Sequence, residues 1–239
     1  MSDDRPDDPA ADRHRHVRSF VLRAGRLTHA QERALEVLWP LYGIELSAAP
    51  LDLDAIFQRH APRVLEIGFG AGEALLAFAS THPEYDCIGI EVHPPGVGHL
   101  LLGVERERLA NVRVIAHDAV EVLAQALAPQ SIDLIHIFFP DPWPKKRHHK
   151  RRLIQPAFVR LLERVLSRHG EIRLATDWEH YALHMRDVFE SDASFTNVHG
   201  ANTFAPRADV RPLTRFEQRG QRLGHGVWDL HYRRRVSIG

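Results

Sequence analysis

The sequence predicts an α/β protein with a Rossmann-like fold, an open and mostly parallel β-sheet with helices on both faces. Strand and helix patterns alternate from Arg63 onward, which is typical of parallel strands joined by helices. The run IDLIHIFF at 132–139 is largely apolar, as expected for a strand that helices cover on both faces. A glycine-rich loop, Gly68–Gly72, follows the first strand. Because ligands of such sheets bind at the carboxyl ends of the strands, the site is expected at that edge.

The predicted elements follow one another along the chain. Short apolar runs predict strands at residues 64–67, 87–91, 112–118, 132–139 and 171–177. Helical patterns follow them in the segments EALLAFA, LLLGVERERL, AVEVLAQAL, PAFVRLLERVL and WEHYALHMRDVFE. Two late strands are predicted at Phe195–Val198 and Trp228–Arg233, with antiparallel pairing at this end of the sheet.

A helical leader is predicted ahead of the sheet. Thr28 and Gln31 have the spacing of a capping box, in which each side chain satisfies a backbone N–H at the helix start. The apolar residues of Ala34–Leu41 continue with helical spacing. A break is expected around Pro40 and Gly43.

The composition is that of an ordinary soluble globular protein. The 239 residues are 44% hydrophobic, and 31 basic residues balance 31 acidic ones. Residues 1–16 are predicted to form a disordered tail, and residues 17–239 a single domain that includes the leader. No apolar run reaches membrane length, and the N-terminus has no apolar signal-peptide core. The single cysteine, Cys87, suits a reducing compartment and is expected to be a buried strand thiol, so we expect a cytoplasmic protein.

The glycine loop predicts a cofactor that carries positive charge. Glu66, Gly68, Gly70 and Gly72 form the pattern ExGxGxG between a strand and a helix. A dinucleotide fingerprint would need GxGxxG, but Glu73 occupies the place of its last glycine, which disfavours a nicotinamide oxidoreductase. Phosphate would also bind poorly beside an acidic residue at a helix N-terminus. S-adenosylmethionine, with its sulfonium and ammonium groups, fits these residues better.

Acidic residues recur where the predicted strands end. Glu91 follows the second strand and is placed to accept the hydroxyl protons of a ribose. Asp118 ends the third strand and is a candidate to bond an adenine amino group, although a helix N-cap explains it equally well. Asp141 follows the fourth strand. Any one of these acids is readily explained by a cap or a loop, but all of them in phase with the strands predict a nucleotide-like cofactor.

A cluster of positive charge follows Asp141. The eight positions Lys145–Arg152, here called the basic segment, hold six Lys or Arg and two His in an otherwise neutral chain. Such a cluster repels itself, so an anionic partner such as RNA phosphate is expected. The prolines at 140, 142 and 144 stiffen the loop before it, and Trp143 stacks on a base or packs into the core, with packing slightly favoured.

The 17 histidines raise the question of a metal site. His180 and His184 have the i, i+4 spacing of two ligands on one helix face. The HExxH pattern of a zinc protease is not present there, and the sequence suggests no third ligand. We therefore expect no metal.

Several motifs together resemble one family, the bacterial tRNA (guanine-N7-)-methyltransferases, which are class I S-adenosylmethionine-dependent enzymes. The motifs are EIGFGAG, GIEVHPPGVG, HDAVEVL, FFPDPWPKKRHHKRRL, TDWEHY and TRFEQRG, and the resemblance extends from about Val17. It implies methyl transfer to N7 of a guanine in the tRNA variable loop. It also implies a class I methyltransferase fold.

The resemblance assigns expected roles to individual residues. Asp141 is expected to be catalytic and close to both cofactor and guanine, because a carboxylate can accept from guanine N1–H and its amino group. Lys145 and Asp177 are expected on the substrate side. The TRFE motif is expected to contact the substrate through Thr214, Arg215, Phe216 and Glu217. The basic segment is expected to contact RNA through Lys146, Arg147, His148, His149, Lys150, Arg151 and Arg152.

Two other functions remain open from the sequence. One is an S-adenosylmethionine-dependent methyltransferase of another substrate, for which the basic segment would have no use. The other is a non-catalytic RNA-binding module, which would not need Glu66, the glycines and Glu91 together. The expected partner is tRNA, with no membrane and no metal, and the protein is expected to be a monomer or a homodimer.

Overall fold

A seven-stranded β-sheet forms the centre of the protein. The computed structural model describes residues 26–207 and 226–236, and the strand order is β3-β2-β1-β4-β5-β7-β6. Strands β1 to β5 pair in parallel, whereas β7 runs antiparallel between β5 and β6. The predicted mostly parallel sheet is therefore confirmed. The strands are β1 Arg63–Ile67, β2 Asp86–Ile90, β3 Val112–Ile115, β4 Ile132–Phe138, β5 Leu166–Thr176, β6 Phe195–Asn197 and β7 Trp228–Arg234.

Helices cover both faces of this sheet. Apolar residues of α1, α4 and α5 pack together on one face, and those of α3, α7 and α8 pack on the other. A π-helical turn at Val122–Ala126 continues α6, and a 3₁₀ helix at Lys146–Arg151 precedes α7. The α-helices are α1 His29–Val37, α2 Trp39–Tyr42, α3 Leu53–Phe57, α4 Glu73–Thr81, α5 Pro94–Glu107, α6 Ala119–Glu121, α7 Pro156–Val165 and α8 Glu179–Glu190.

The predicted capping box starts the first helix. The Thr28 N–H donates to Gln31 Oε1 over 2.9 Å, and the Gln31 N–H donates to Thr28 Oγ1 over 3.3 Å. Gln31 Nε2 also donates to the Pro95 carbonyl at 3.0 Å, so the capping residue joins α1 to the start of α5. Residues 1–25 and 208–225 lie outside the described residues, and the predicted tail at 1–16 therefore stays a prediction.

Strand β3 ends at Ile115, three residues earlier than predicted, and two further differences from the sequence prediction are larger. Strand β5 begins at Leu166, not near Glu171, because the chain passes from α7 directly into extended backbone at Leu166. The helix predicted after β3 is short, and the chain continues as the π-helical turn. Carbonyls of this turn and of its C-cap accept hydrogen bonds from Arg164, whose Nη2 donates to Leu123 O at 2.5 Å and to Leu127 O at 2.7 Å. Both differences arise from contacts that helical periodicity does not encode.

Cys87 lies in β2 and is fully buried, as predicted. Burial raises the pKa of its thiol above the ordinary value, because the thiolate would lose its hydration. A side chain in this state is a packing residue rather than a nucleophile. Among the described residues no helix combines the length and apolar character needed to cross a membrane.

An ion pair between an exposed arginine and a buried aspartate at the start of β2 yields a test of stability. Asp86 is fully buried, and its Oδ1 accepts from Arg59 Nε at 2.6 Å. We expect Arg59→Ala to lower the free energy of unfolding by about 2–3 kcal/mol, because a buried carboxylate loses its charged partner. Urea denaturation would measure the change, and Arg160→Ala, at an exposed position of α7, is the matched control. If Asp86→Asn in the Arg59→Ala background recovers none of the loss, the ion pair is not its cause.

Candidate functional site

A cavity of about 210 Å³ opens at the carboxyl ends of the parallel strands, at the edge that the sequence predicted. The structure brings Gly68, Glu91, Asp118 and Asp141 together around this one cavity, whereas Glu66, Gly70 and Gly72 do not line it. The residues that line it come from the ends of β1 and β2, from the segments that follow β1, β2, β3 and β4, and from the residue directly after the basic segment. They are Ile67, Gly68, Ile90, Glu91, Val92, His93, His117, Asp118, Ala119, Phe139, Pro140, Asp141 and Leu153.

The glycine loop has open space beside its backbone at two of its three glycines. Gly68, Gly70 and Gly72 have φ of 70°, 57° and 79°, a left-handed backbone conformation that residues other than glycine rarely adopt. A Cβ at Gly68 or Gly70 would meet open space, so a ligand can approach the backbone there. At Gly96 of α5, in contrast, a Cβ would lie 2.2 Å from the Gly70 carbonyl oxygen. The missing side chain lets α5 approach the loop and hold its shape.

Glu66 places a buried carboxyl group at the start of the glycine loop. Its side chain is 2% exposed, and burial raises its pKa to about 8. Oε2 has no hydrogen-bond partner among the described residues. The residue paired with it on β4, His136, is fully buried, and burial lowers the His136 pKa to about 3, so this neighbour is neutral at physiological pH. Among the described residues Oε2 thus has no donor and its β4 neighbour carries no charge, so the buried carboxyl suits a ligand that supplies a cation.

Glu91 is held in one orientation by backbone donors. Gly70 N donates to Oε2 at 2.9 Å, and Val92 N and His93 N donate to Oε1 at 2.7 and 3.0 Å. The side chain is 7% exposed and lines the cavity. A carboxylate oxygen can accept more than one hydrogen bond, so the fixed group still has capacity to accept hydroxyl protons from a ligand.

Asp118 combines both interpretations that the sequence allowed. Its Oδ1 accepts from Val120 N at 2.9 Å and caps the short helix α6. The same residue lines the cavity next to His117. The cap fixes the carboxylate at the cavity wall, so the structural contact and a ligand contact are compatible.

The loop that carries Asp141 has an unusual backbone. Phe139 and Trp143, on either side of Asp141, have φ of 54° and 43°. Such left-handed conformations cost energy in residues other than glycine and cluster at functional sites. Phe139 N donates to the Ala175 carbonyl at 2.8 Å, which attaches the loop to β5. Asp141 itself is exposed at the mouth of the cavity.

Trp143 packs against the basic segment. The Arg151 guanidinium carbon lies 5.1 Å from the centre of its ring, and the His148 ring meets it edge-on at 5.9 Å. An arginine over an indole face is a favourable cation–π contact. Trp143 is half-buried and packs against this segment, whereas the role that the sequence slightly favoured was packing into the core.

The basic segment is not uniform in exposure. Lys145, Lys146, Arg147 and Lys150 are exposed, whereas the two histidines and Arg151 are half-buried. Arg152 is 2% exposed, and its Nε donates to the Pro142 carbonyl at 2.9 Å. It cannot reach a phosphate in this position, so we remove it from the residues expected to contact RNA.

The substrate-side residues are only partly described. Asp177 follows β5 and is half-buried, but neither it nor Lys145 lines the cavity. The residues of the TRFE motif, 214–217, lie outside the described residues. Beside Asp177 stands Trp178, which is 42% exposed and which the sequence analysis did not select. His93 and His117 were also missed, although their positions directly after β2 and β3 follow the strand-end rule that selected Glu91 and Asp118.

The remaining histidine pair does not form a metal site. His184 Nε2 bonds the Ile154 carbonyl at 2.8 Å, and His180 Nδ1 faces Arg152. Within residues 26–207 and 226–236, no group of three or more His, Cys, Asp or Glu is arranged to hold a metal ion.

Comparison of the fold gives distant structural neighbours. The 16S rRNA methyltransferase KamB is 13% identical, with a TM-score of 0.57 over 80% of this chain and 95% of that one. A SAM-dependent methyltransferase from Aquifex aeolicus is 13% identical, with a TM-score of 0.51 over 86% of this chain and 99% of that one. At this identity the likeness concerns the fold alone, and it confirms the predicted class I methyltransferase fold.

Comparison of the sequence gives much nearer relatives. A family model described as "Putative methyltransferase" matches residues 60–230. A tRNA (guanine-N(7)-)-methyltransferase from Alkalilimnicola ehrlichii is 57% identical, over 96% of this chain and 98% of the relative. One with the same name from Thiobacillus denitrificans is 59% identical, over 92% of this chain and 96% of the relative. This chain therefore belongs to the tRNA (guanine-N7-)-methyltransferase family.

Proposed function

We propose that this protein transfers a methyl group from S-adenosylmethionine to N7 of a guanine in the variable loop of tRNA, forming 7-methylguanosine in the cytoplasm. The observation that supports it most directly is one cavity that joins the cofactor motifs to Asp141 beside the basic segment. The 57–59% identity to relatives that carry this activity in their names supports the substrate. The assignment accounts for the basic segment, which a small-molecule methyltransferase would not need.

The residues around the cavity fit the cofactor. Within the described part of the chain the buried Glu66 Oε2 has no hydrogen-bond partner, and the open backbone at Gly68 and Gly70 admits close contact. We assign Glu66 to the positively charged end of the cofactor, Glu91 to its ribose hydroxyls and Asp118 to its adenine amino group. When bound, S-adenosylmethionine supplies a methyl group that its sulfonium centre has already activated.

The protein has little proton chemistry to perform in this reaction. Guanine N7 is a lone-pair nucleophile with no proton to lose, so no general base is required. Its new N–C bond forms as the methyl–sulfur bond breaks, and positive charge passes to the purine. We therefore assign Asp141 to orientation, by accepting from guanine N1–H and the amino group. Lys145 and Asp177 do not line the cavity, and we assign them to contacts with the rest of the substrate.

The exposed part of the basic segment is proposed to bind the tRNA backbone. Lys146, Arg147 and Lys150 are exposed on the 3₁₀ helix next to the Asp141 loop. His148, His149 and Arg151 are half-buried but still accessible. Phosphate contacts position a nucleic acid without reading its bases, so these residues would bring the variable loop to the cavity. The TRFE motif is proposed to complete the substrate side, and either a monomer or a homodimer would suffice.

The reaction itself is tested by product identification. Purified protein, labelled S-adenosylmethionine and unmodified bulk tRNA should give labelled 7-methylguanosine after digestion. Asp141→Asn should lower kcat by about 10²-fold through misplacement of the guanine. Its remaining activity should not acquire a new pH dependence, because no proton transfer is lost.

Asp187→Asn, an exposed change on α8, is the matched control and should retain wild-type kcat. A wild-type kcat, measured with saturating cofactor and tRNA, that falls steeply below a pKa near neutrality would contradict the orienting role of Asp141. A labelled nucleoside other than 7-methylguanosine would contradict the proposed function.

The raised pKa of Glu66 predicts proton release on cofactor binding. In the free protein the carboxyl is mostly protonated below about pH 8. A ligand cation beside it favours the ionised form, so binding should release up to one proton at pH 7. Affinity should then rise by up to about tenfold per pH unit as the pH approaches 8. Calorimetry with S-adenosylhomocysteine in buffers of different ionisation enthalpy measures both quantities.

Glu66→Gln is the control for this titration, since the amide keeps the shape but cannot ionise. The Glu66→Gln protein should bind S-adenosylhomocysteine more weakly than wild type. It should also release fewer protons on binding and show a weaker dependence of affinity on pH, because the contribution of Glu66 is missing. Equal proton release by the two proteins would remove Glu66 from the cationic end of the cofactor.

Salt dependence tests the proposed phosphate contacts. If the basic segment neutralises about four to six phosphates, log K for tRNA should fall against log salt with a slope of roughly −3 to −5. Lys146→Met and Arg147→Met should each reduce the magnitude of the slope by about 0.7–0.9. Arg160→Met, which removes an exposed charge on α7, should leave it unchanged. If neither Lys146→Met nor Arg147→Met changes the slope, the RNA binds to another surface.

A further inference from the structure

Arg152 points into the protein, in contrast to the exposed charges that precede it in the basic segment. Its side chain is 2% exposed, whereas Lys146, Arg147 and Lys150 are exposed. It is among the largest fully buried side chains of the described residues. A buried guanidinium loses its hydration, and burial accordingly lowers its pKa. An apolar residue would avoid this cost, so the contacts that Arg152 makes need an explanation of their own.

The guanidinium joins the Asp141 loop to α8. Nε donates to the Pro142 carbonyl at 2.9 Å, directly after Asp141 in the chain. Nη1 and Nη2 both lie 3.3 Å from His180 Nδ1. The guanidinium carbon also lies 4.8 Å from the centre of the Tyr181 ring, which adds a cation–π contact. Only a planar group with several fixed donors can make these contacts at once, which lysine cannot reproduce.

The chain after Arg152 is attached to the same helix. Ile154 N donates to the Tyr181 hydroxyl at 3.2 Å, and the Ile154 carbonyl bonds His184 at 2.8 Å. Gln155 Nε2 donates to the His149 carbonyl at 3.1 Å, a hydrogen bond that closes the turn of the basic segment. Arg152 thus lies at the contact between three segments of the chain, namely the Asp141 loop, the basic segment and α8.

The pieces that meet at Arg152 carry the proposed site residues. Asp141 immediately precedes Pro142, and Asp177 lies just before the start of α8. Leu153, the next residue after Arg152, lines the cavity. We propose that Arg152 is a positioning residue for methyl transfer, which holds the Asp141 loop at a fixed place against α8 and makes no contact with phosphate. The proposal rests on the proposed function and deepens it.

A phosphate contact by Arg152 is the competing explanation. To reach RNA the side chain would have to leave the Pro142 carbonyl, His180 and the Tyr181 ring together. It would then act like Arg151 and add to the salt dependence of tRNA binding. A positioning role instead lowers kcat, because a misplaced Asp141 loop misaligns the guanine after the tRNA has bound. The two explanations therefore change different measured quantities.

The test compares Arg152→Lys and Arg152→Met with Arg151→Met. We expect kcat at saturating tRNA to fall roughly 10-fold for Arg152→Lys and about 10²-fold for Arg152→Met. The salt slope of tRNA binding should stay at the wild-type value in both. Arg151→Met should reduce the magnitude of the slope by about 0.7–0.9 and raise the KM for tRNA. Arg160→Met, with the same loss of charge at an exposed site, should match wild type in both measurements.

A second variant keeps the test valid if Arg152→Met fails to fold. His180→Leu removes an acceptor of the same guanidinium from an exposed residue, so the fold should tolerate it. It should lower kcat several-fold without changing the salt slope. Hydrogen exchange gives a readout that does not depend on activity, and peptides covering 139–143 should exchange faster in Arg152→Lys and His180→Leu than in wild type.

Two results would overturn the proposal. One is a salt slope reduced in Arg152→Lys or Arg152→Met as in Arg151→Met, which would make Arg152 a phosphate ligand. The other is wild-type kcat together with unchanged exchange at 139–143 in Arg152→Lys and His180→Leu. Failure of the proposed function is a separate outcome, because wild type itself would then form no 7-methylguanosine. The hydrogen-exchange comparison would still report whether Arg152 holds the Asp141 loop.

Discussion

The hydrogen bond from the Gly70 N–H to the Glu91 carboxylate is the interaction on which the cofactor side of the site depends. It connects the glycine loop after β1 to the end of β2, and two more backbone donors hold the other Glu91 oxygen. The loop can reach Glu91 because its glycines adopt left-handed φ and because Gly96 lets α5 come close. The carboxylate is therefore positioned before any ligand arrives, which reduces the ordering cost of binding.

The ionisation state of Glu66, and with it the charge of the cofactor side of the site, depends on burial rather than on the number of acidic residues. Glu66 lies inside the sheet beside a neutral His136, and its raised pKa shows that the protein alone does not stabilise its ionised form. A cationic ligand changes that balance, whereas a pyrophosphate would worsen it. The same glycine loop that resembles a dinucleotide site thus selects a different ligand class through one buried carboxyl. Because methylation of guanine N7 needs no base, the roles proposed for these acids are binding and alignment.

The basic segment separates two tasks within eight residues. Its exposed charges can meet phosphates, while Trp143 packs under Arg151 and Arg152 turns inward to the Asp141 loop. The attachment to α8 brings the surface proposed to hold RNA and the loop proposed to orient the base into one rigid unit. This arrangement explains why a neutral protein concentrates positive charge directly after a buried strand.

The sequence by itself determined the features that depend on neighbours along the chain. The capping box at Thr28, the strands of the sheet, the glycine loop and the acids at the strand ends all follow local pattern, and the parallel sheet necessarily brings those strand ends to one edge. Only the tertiary structure decided the inward direction of Arg152 and the π-helical turn after α6. Arg152 meets a residue 28 positions away, and Arg164 bonds carbonyls 37–41 positions away. Contacts at such separation leave no periodicity in the sequence, so a run of basic residues could not reveal which of its members is buried.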